Sequence, residues 1–290
     1  MHGNVEGRFR DNEELRYNLR ALERYFPQHG HIYVVTDAQT PAWLRSSERL
    51  TVVDHTELIP DHHLPTFDSS HIESYIHRIP NLSERYFYLN DDVMFGAPVE
   101  LQHWFSDDGI YLAWSDEPCV SDEPLCQDTG ALGNACRLSN EWFKRNTNHP
   151  LVAPDYRHTF RTFAHSPRPM RKSLLTALEI IAPEMFSMVR STVFRTWNKP
   201  TIVSDFVLRW ALASGAAQVR EYPHLYVSTG DVDQLSVLEE LVASAGKIDF
   251  FCVNDTTDDA YPHDPRLTQV RDALQRMFAQ PSSFELDDKA

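Results

Sequence analysis

The sequence predicts an α/β fold: a doubly wound, mostly parallel sheet with helices on both faces and a helical second half. Three observations predict it. Strand and helix patterns alternate through the first hundred residues, which implies parallel strands joined by crossover helices. The strands are near-continuous apolar runs that end in polar residues, as expected of strands covered on both faces. Beyond residue 170 the apolar spacing becomes helical.

The first element is a helix over 11–26, where Leu15, Leu19, Leu22 and Phe26 recur at the spacing of one buried face. Asp11 is the expected N-cap, Glu14 the expected capping-box partner, and Pro27 closes the segment. Two strands follow, HIYVVTD (31–37) and LTVVDH (50–55). The stretch LPTFDSSHIESYIHRIP (64–80) reads as a loop, then a helix from Ser70 that stops at Pro80. Next, RYFYLNDDVMF (85–95) reads as an aromatic strand running into Asn90, Asp91 and Asp92. Residues 105–130, rich in Asp, Glu, Pro and Ser, read as a loop, and a boundary is placed near 105–135. Helical patterns reappear at 171–181, 202–214, 232–245 and 265–278, and IDFFCV (248–253) is a further apolar run. Gly215 and Gly246 close two of these helices, and Asp264 with Pro265 introduces the last.

The 290 residues are 42% hydrophobic and 24% charged, a globular composition. No apolar run approaches the roughly 18 residues needed to span a bilayer, and no signal-peptide pattern opens the chain, so a cytoplasmic protein is expected. A net charge of −15 excludes general affinity for nucleic acid or anionic lipid. The basic residues are nevertheless gathered: Tyr156 to Lys199 holds eight basic and two acidic residues, a net of +6, whereas Asp231 to the end carries −8. An anionic ligand is expected at the middle of the chain. The four cysteines lack C-x-x-C spacing, which argues against structural zinc and for scattered buried thiols.

Four constellations carry chemistry. Asn90-Asp91-Asp92 follows a strand, where ligands bind in open α/β sheets, and two carboxylates there suit Mg²⁺ or Mn²⁺; the competing reading is a turn or cap. AHSPRPMRK brings together His165, a proton acceptor at neutral pH, and Arg168, a fork of donors for phosphate. Arg195 lies in RSTVFRTWNKP, and Asn254-Asp255 follows the last apolar run. Taken singly, each of the last three reads more readily as structure than as a site. A metal-binding acid pair, arginines and a histidine base together form the set that phosphoryl transfer requires.

RFRDNEELRYNLRALERYFP (8–27), HIYVVTDAQTPAWL (31–44), LPTFDSSHIESYIHRIPNLSERYFYLNDDVMFG (64–96), AHSPRPMRK and CVNDTTDD (252–259) resemble the Stealth family of capsule and exopolysaccharide sugar-1-phosphate transferases, relatives of the N-acetylglucosamine-1-phosphotransferase catalytic core. The resemblance implies a GT-A-like fold, with nucleotide-sugar and metal binding in 1–105 and a mostly helical part, 106–290, completing the site. It implies a UDP-sugar donor, a glycan acceptor, release of UMP, and Mg²⁺ or Mn²⁺. It places Asp91, Asp92 and Asp255 at the metal, with Asp92 also catalytic. His165 is implied as the general base, and Arg195 and Arg168 as stabilisers of phosphoryl charge. Asn12, Arg16, Ser69, Glu73, Asn90 and Asn254 are implied to contact substrate. An ordinary glycosyltransferase releasing UDP and an inactive relic are the alternatives, and peripheral association with the inner membrane face is an alternative location. The family's first motif, a D-x-V-Y-T-W-V-like strand, normally precedes RFRDNEELRY, but only seven residues stand before Arg8. A late-starting chain is therefore expected, with neighbouring strands short of partners and the base pocket short of a wall.

Overall fold

In a computed structural model the described residues are 10–231, 233–257, 259–261 and 264–286; residues 1–9, including Arg8, and Asp258 of the last motif lie outside them. Helix α1 (Glu14–Tyr25) leads to strands β1 (Ile32–Thr36) and β2 (Leu50–Asp54) and the short helices α2 (His55–Leu58) and α3 (Ser69–Glu73). Strands β3 (Arg85–Tyr88) and β4 (Val93–Phe95), helix α4 (Leu101–Trp104) and strand β5 (Ile110–Leu112) follow. The second half contains α5 (Ala131–Arg145), β6 (Arg168–Arg171), α6 (Lys172–Ile181), α7 (Pro183–Arg190), a π-helical turn at Ile202–Phe206, and α8 (Val207–Ala213). It finishes with β7 (Ala217–Val219), β8 (His224–Ser228), α9 (Gln234–Ala243), β9 (Phe250–Asn254) and α10 (Arg266–Met277).

The α/β class holds, but the described strands form four small sheets: β1-β2, β3-β6, β4-β9-β8 and β5-β7. Three of the five pairings are parallel; β3-β6 and β4-β9 are antiparallel. The expected single strand over 85–95 is two strands in different sheets. The Asn18 side-chain amide donates to the carbonyls of Asn90, Asp91 and Val93, and the Val93 amide bonds the Asn90 carbonyl, so the chain turns at the acidic pair. The 70–80 helix also breaks, into α3 and a 3₁₀ turn at Ile76–Arg78. α5 lies where the expected boundary ended. Cys119 and Cys126 are free and exposed rather than buried; Cys136 and Cys252 are buried.

The Asp11–Glu14 capping box does not form. Glu13, in the left-handed region at φ 62°, occupies the N-cap without a side-chain cap, and the Glu14 carboxylate accepts instead from the Asn12 backbone and side-chain amides. That turn aims Asn12 at the far end of the chain. Gly215 and Gly246 do close α8 and α9, at φ 75° and 81°, where a β-carbon would be strained.

The β6 segment is held by complementary geometry. Pro169 stands opposite Phe87, and the Lys172 amide bonds the Glu84 carbonyl. Alternation then puts Tyr86 and Tyr88 at the bonding positions, so Pro169, which has no N–H, takes a position that needs none. Upstream, buried Arg209 is fixed by Asp205 and donates to the Thr159 and Arg161 carbonyls at 2.7 and 2.6 Å. The Ala164 amide bonds Ala113. His165 thus follows a segment anchored on both sides.

β1 bonds only β2, and β3 only β6, so one edge of each is unpaired by strand among the described residues. The Ile32 amide bonds the Arg49 carbonyl, so Val34 also faces β2 while the Tyr33 and Val35 amides face the cleft. Hydrogen exchange is expected to be faster at Tyr33 and Val35 than at Val34. Equal protection of all three amides, followed by NMR, would show that something else pairs this edge.

Candidate active site

A cavity of about 1520 Å³ opens along these edges. Leu15, Leu19 and Leu22 of α1 and Phe26 just after it line one part of it, and Ile72, Ile76, Ile79 and Leu82 another. Its polar part is built from strand ends and loops: Asn90, Asp91 and Asp92 after β3, Asn254 and Asp255 at and after β9, and His165, Ser69 and Arg195.

Asp92 is seated by β9: its backbone carbonyl accepts from the Val253 amide, and Oδ2 takes the Cys252 thiol at 3.6 Å. Burial, reinforced by the neighbouring Asp91 carboxylate, pushes Asp92 up to about 7. Asp91 is raised by burial too, and burial raises Glu14, with Asp91 adding repulsion. Three acids therefore resist ionising together. Asp255 differs. Burial works against its charge, yet hydrogen bonds from Asn12 and Arg10, with others from Thr229 and the Thr257 amide, hold its carboxyl below the usual range.

Cations act on His165. Burial, with repulsion from Arg168 and Arg195, pushes the histidine down to about 4, so the ring is neutral at pH 7. It lies 5.4 Å from the Tyr226 ring, and the Tyr226 hydroxyl accepts from the Asn254 side-chain amide at 2.7 Å. Glu73 is buried and accepts from the Tyr88 hydroxyl at 3.0 Å; burial raises its carboxyl, and Arg168 opposes that. Arg195 donates to the Ser69 hydroxyl and approaches Asp68, which also holds the buried Lys199 at 2.9 Å.

The cavity lining unites nine sequence-predicted residues: Ser69, Glu73, Asn90, Asp91, Asp92, His165, Arg195, Asn254 and Asp255. Asn12 and Arg168 sit behind the lining. Arg16 does not join them: it pairs with Glu13 at 2.7 Å, approaches Glu285 and lies 5.0 Å over Trp43, outside the cavity. Five buried polar atoms in this region have no hydrogen-bond partner: Glu73 Oε2, Asn90 Oδ1, Asp92 Oδ1, His165 Nδ1 and Arg168 Nε. Orphaned buried groups are costly in a fold, and a bound ligand is one way to satisfy the four of these that line the cavity.

Sequence reasoning missed Asn18, Tyr88, Tyr226 and Cys252. Asn18 had a signal, a polar residue on the apolar stripe of α1. Tyr88 shares the strand alternation with Tyr86 just ahead of the acidic turn. Tyr226 and Cys252 are register partners between β8 and β9, which no local pattern reveals.

Among the described residues, no group of three or more His, Cys, Asp or Glu side chains is arranged to hold a metal ion, and no helix is long and apolar enough to cross a membrane.

Residues 8–112 match Stealth protein CR2, conserved region 2, and residues 243–290 match Stealth protein CR4, conserved region 4. An exopolysaccharide phosphotransferase of Streptomyces coelicolor is 33% identical over 98% of this chain and 29% of its own length. A Mycobacterium leprae exopolysaccharide phosphotransferase is 30% identical over 97% of this chain and 51% of its own. A capsular polysaccharide phosphotransferase of Neisseria meningitidis is 34% identical over 73% of this chain and 56% of its own. The chain spans about half or less of most such relatives.

Proposed function

We propose, from the premise that this chain belongs to the Stealth family, that it transfers a hexose-1-phosphate from a UDP-sugar to a sugar hydroxyl in capsule or exopolysaccharide synthesis. The observation that carries the reading is one cavity lined by an acid pair, His165 and Arg195, with unpartnered buried atoms on Asn90, Asp92 and His165. In the reaction, the acceptor oxygen bonds the donor's β-phosphorus, the bond from that phosphorus to the bridging oxygen breaks, and UMP leaves. The acceptor's proton passes to His165, neutral and flanked by Arg168 and Arg195, which stabilise the anionic phosphoryl group. Ser69 and Glu73 complete the donor's surroundings, with Asn254 oriented by Tyr226.

A divalent cation, Mg²⁺ or Mn²⁺, fits at Asp91 and Asp92, because Asp92 Oδ1 and Asn90 Oδ1 are buried oxygens without partners and such ions prefer oxygen. Asp91 and Asp92 would hold such an ion with few protein ligands, and it would supply charge neutralisation. Asp255, already saturated by hydrogen bonds, fits a supporting role better than a direct metal contact. The same premise supports a GT-A-like arrangement, in which β1-β2 and β3-β6 would belong to one interrupted sheet. The enzyme acts in the cytoplasm or at the inner membrane face, on a glycan acceptor.

The released nucleotide tests this. Incubated with UDP-N-acetylglucosamine, Mg²⁺ and a capsule oligosaccharide, the protein is expected to release UMP, resolved by ion-exchange chromatography. UDP instead would move the attack to the anomeric carbon and overturn the phosphotransfer reading.

A further inference from the structure

Phe67 and Phe194 are 61% and 48% exposed, yet their rings stack on each other at 5.3 Å and 12°. Both line the cavity at its rim. The rings stand on a rigid base. The Phe67 amide bonds the Val193 carbonyl at 2.7 Å in a parallel bridge, and the adjoining Thr66 and Asp68 are buried. Asp68 in turn anchors Lys199. An exposed aromatic pair held this firmly costs hydration and gains nothing in the core, so it is organised for contact with something else.

Its neighbours indicate what. Ser69 and Arg195 follow Phe67 and Phe194 in sequence, and Arg195 repels the protonated form of His165. The aromatic surface thus adjoins Arg195 and shares the cavity lining with His165. A pyranose ring presents an apolar C–H face with its hydroxyls at the edge, and that face stacks on an aromatic ring while the hydroxyls reach polar groups alongside. Phenylalanine offers no hydrogen bond of its own, which suits the C–H face rather than the rim. A hydroxyl that delivers its proton to His165 belongs to a ring only a bond or two away, so the ring that meets this surface is the acceptor's. The cavity also exceeds the roughly 300–1,000 Å³ of a single-ligand pocket, leaving room for a saccharide beside a nucleotide-sugar.

We propose that the Phe67–Phe194 pair is the acceptor-sugar platform, a stacking surface for a neutral hexopyranose ring, which rests on the phosphotransfer reading for the identity of that ring as acceptor. The test is binding, so it needs no turnover. Neutral tetrasaccharides of glucose, mannose and N-acetylglucosamine are titrated into the protein and followed by saturation-transfer NMR, with UDP and Mg²⁺ titrated separately. At least one tetrasaccharide is expected to bind, with saturation strongest at ring C–H protons. Phe194→Ala and Phe67→Ala are each expected to weaken it by about tenfold, near the upper range for one aromatic contact, and Phe194→Trp to restore it. UDP affinity is expected to stay unchanged in all three variants, and their melting temperatures to match the parent's. No tetrasaccharide binding, or equal binding by the alanine variants, overturns the platform. Loss of UDP affinity instead would assign the rings to the nucleotide base and overturn it as well. Tetrasaccharide binding lost with Phe194→Ala while UDP rather than UMP is released would leave the platform standing and remove phosphotransfer.

Discussion

Replacing His165 with alanine is expected to lower the transfer rate by about 10²- to 10⁴-fold, the span of a positioned general base, with donor affinity nearly unchanged. The ring begins neutral because burial and the charges of Arg168 and Arg195 hold it at about 4. Before the donor arrives it is a weak base. An anionic phosphoryl group settling between the two arginines cancels their repulsion and raises the ring's affinity for a proton at the moment one is released. On the proposed reading, base strength would then depend in part on donor occupancy. Single-turnover rates with UDP-N-acetylglucosamine, compared with donor affinity by calorimetry, separate the two effects. Near-normal turnover in the variant removes His165 from the chemistry, and a matching loss of donor affinity makes it a binding residue.

Replacing Asp92 with asparagine is expected to weaken Mg²⁺-dependent donor binding by about a hundredfold, since on the proposed reading a hard cation would lose a carboxylate ligand. The same change is expected to raise the melting temperature of the metal-free protein at pH 8. Asp92 stays protonated up to about 7 in the folded state but ionises near 3.8 when unfolded. Between those values the native state holds the extra proton, so stability falls as pH rises, and above 7 the full cost of a buried carboxylate is present. Asparagine carries no such cost. Full Mg²⁺ dependence in the variant would remove Asp92 from the metal site; an unchanged melting temperature at pH 8 would show that its charge is well solvated.

Local patterns were legible. The apolar stripe of α1, the strands near 32 and 50, and the helices near 172, 207, 234 and 266 all follow from spacing within one element. The fusion of β3 and β4 into one strand came from their shared apolar character, because the interruption is imposed by Asn18, some seventy residues upstream. α5 was hidden for a related reason. Its Gly133, Asn134 and Ser139 lower helix propensity, and contacts made only after folding, such as Ser139 with Asp205 at 2.6 Å, override it. Arg16 falls outside the cavity lining because a motif says which residues travel together, not which side of the helix meets the cavity. The sheet pairings lie beyond any local period: β3 meets β6, and β4 meets β9, across long stretches of chain.

The Asp92–Cys252 contact has a consequence in time. Those residues are 160 positions apart, and the Arg10–Asp255 pair spans 245. At a synthesis rate of about 5–20 residues per second, a nascent chain that has just made Asp92 waits roughly 8–32 s for the strand that seats it. For that interval two adjacent carboxylates and the apolar edge of β4 are exposed on the growing chain. The acidic half of the site is therefore assembled last, when β9 emerges.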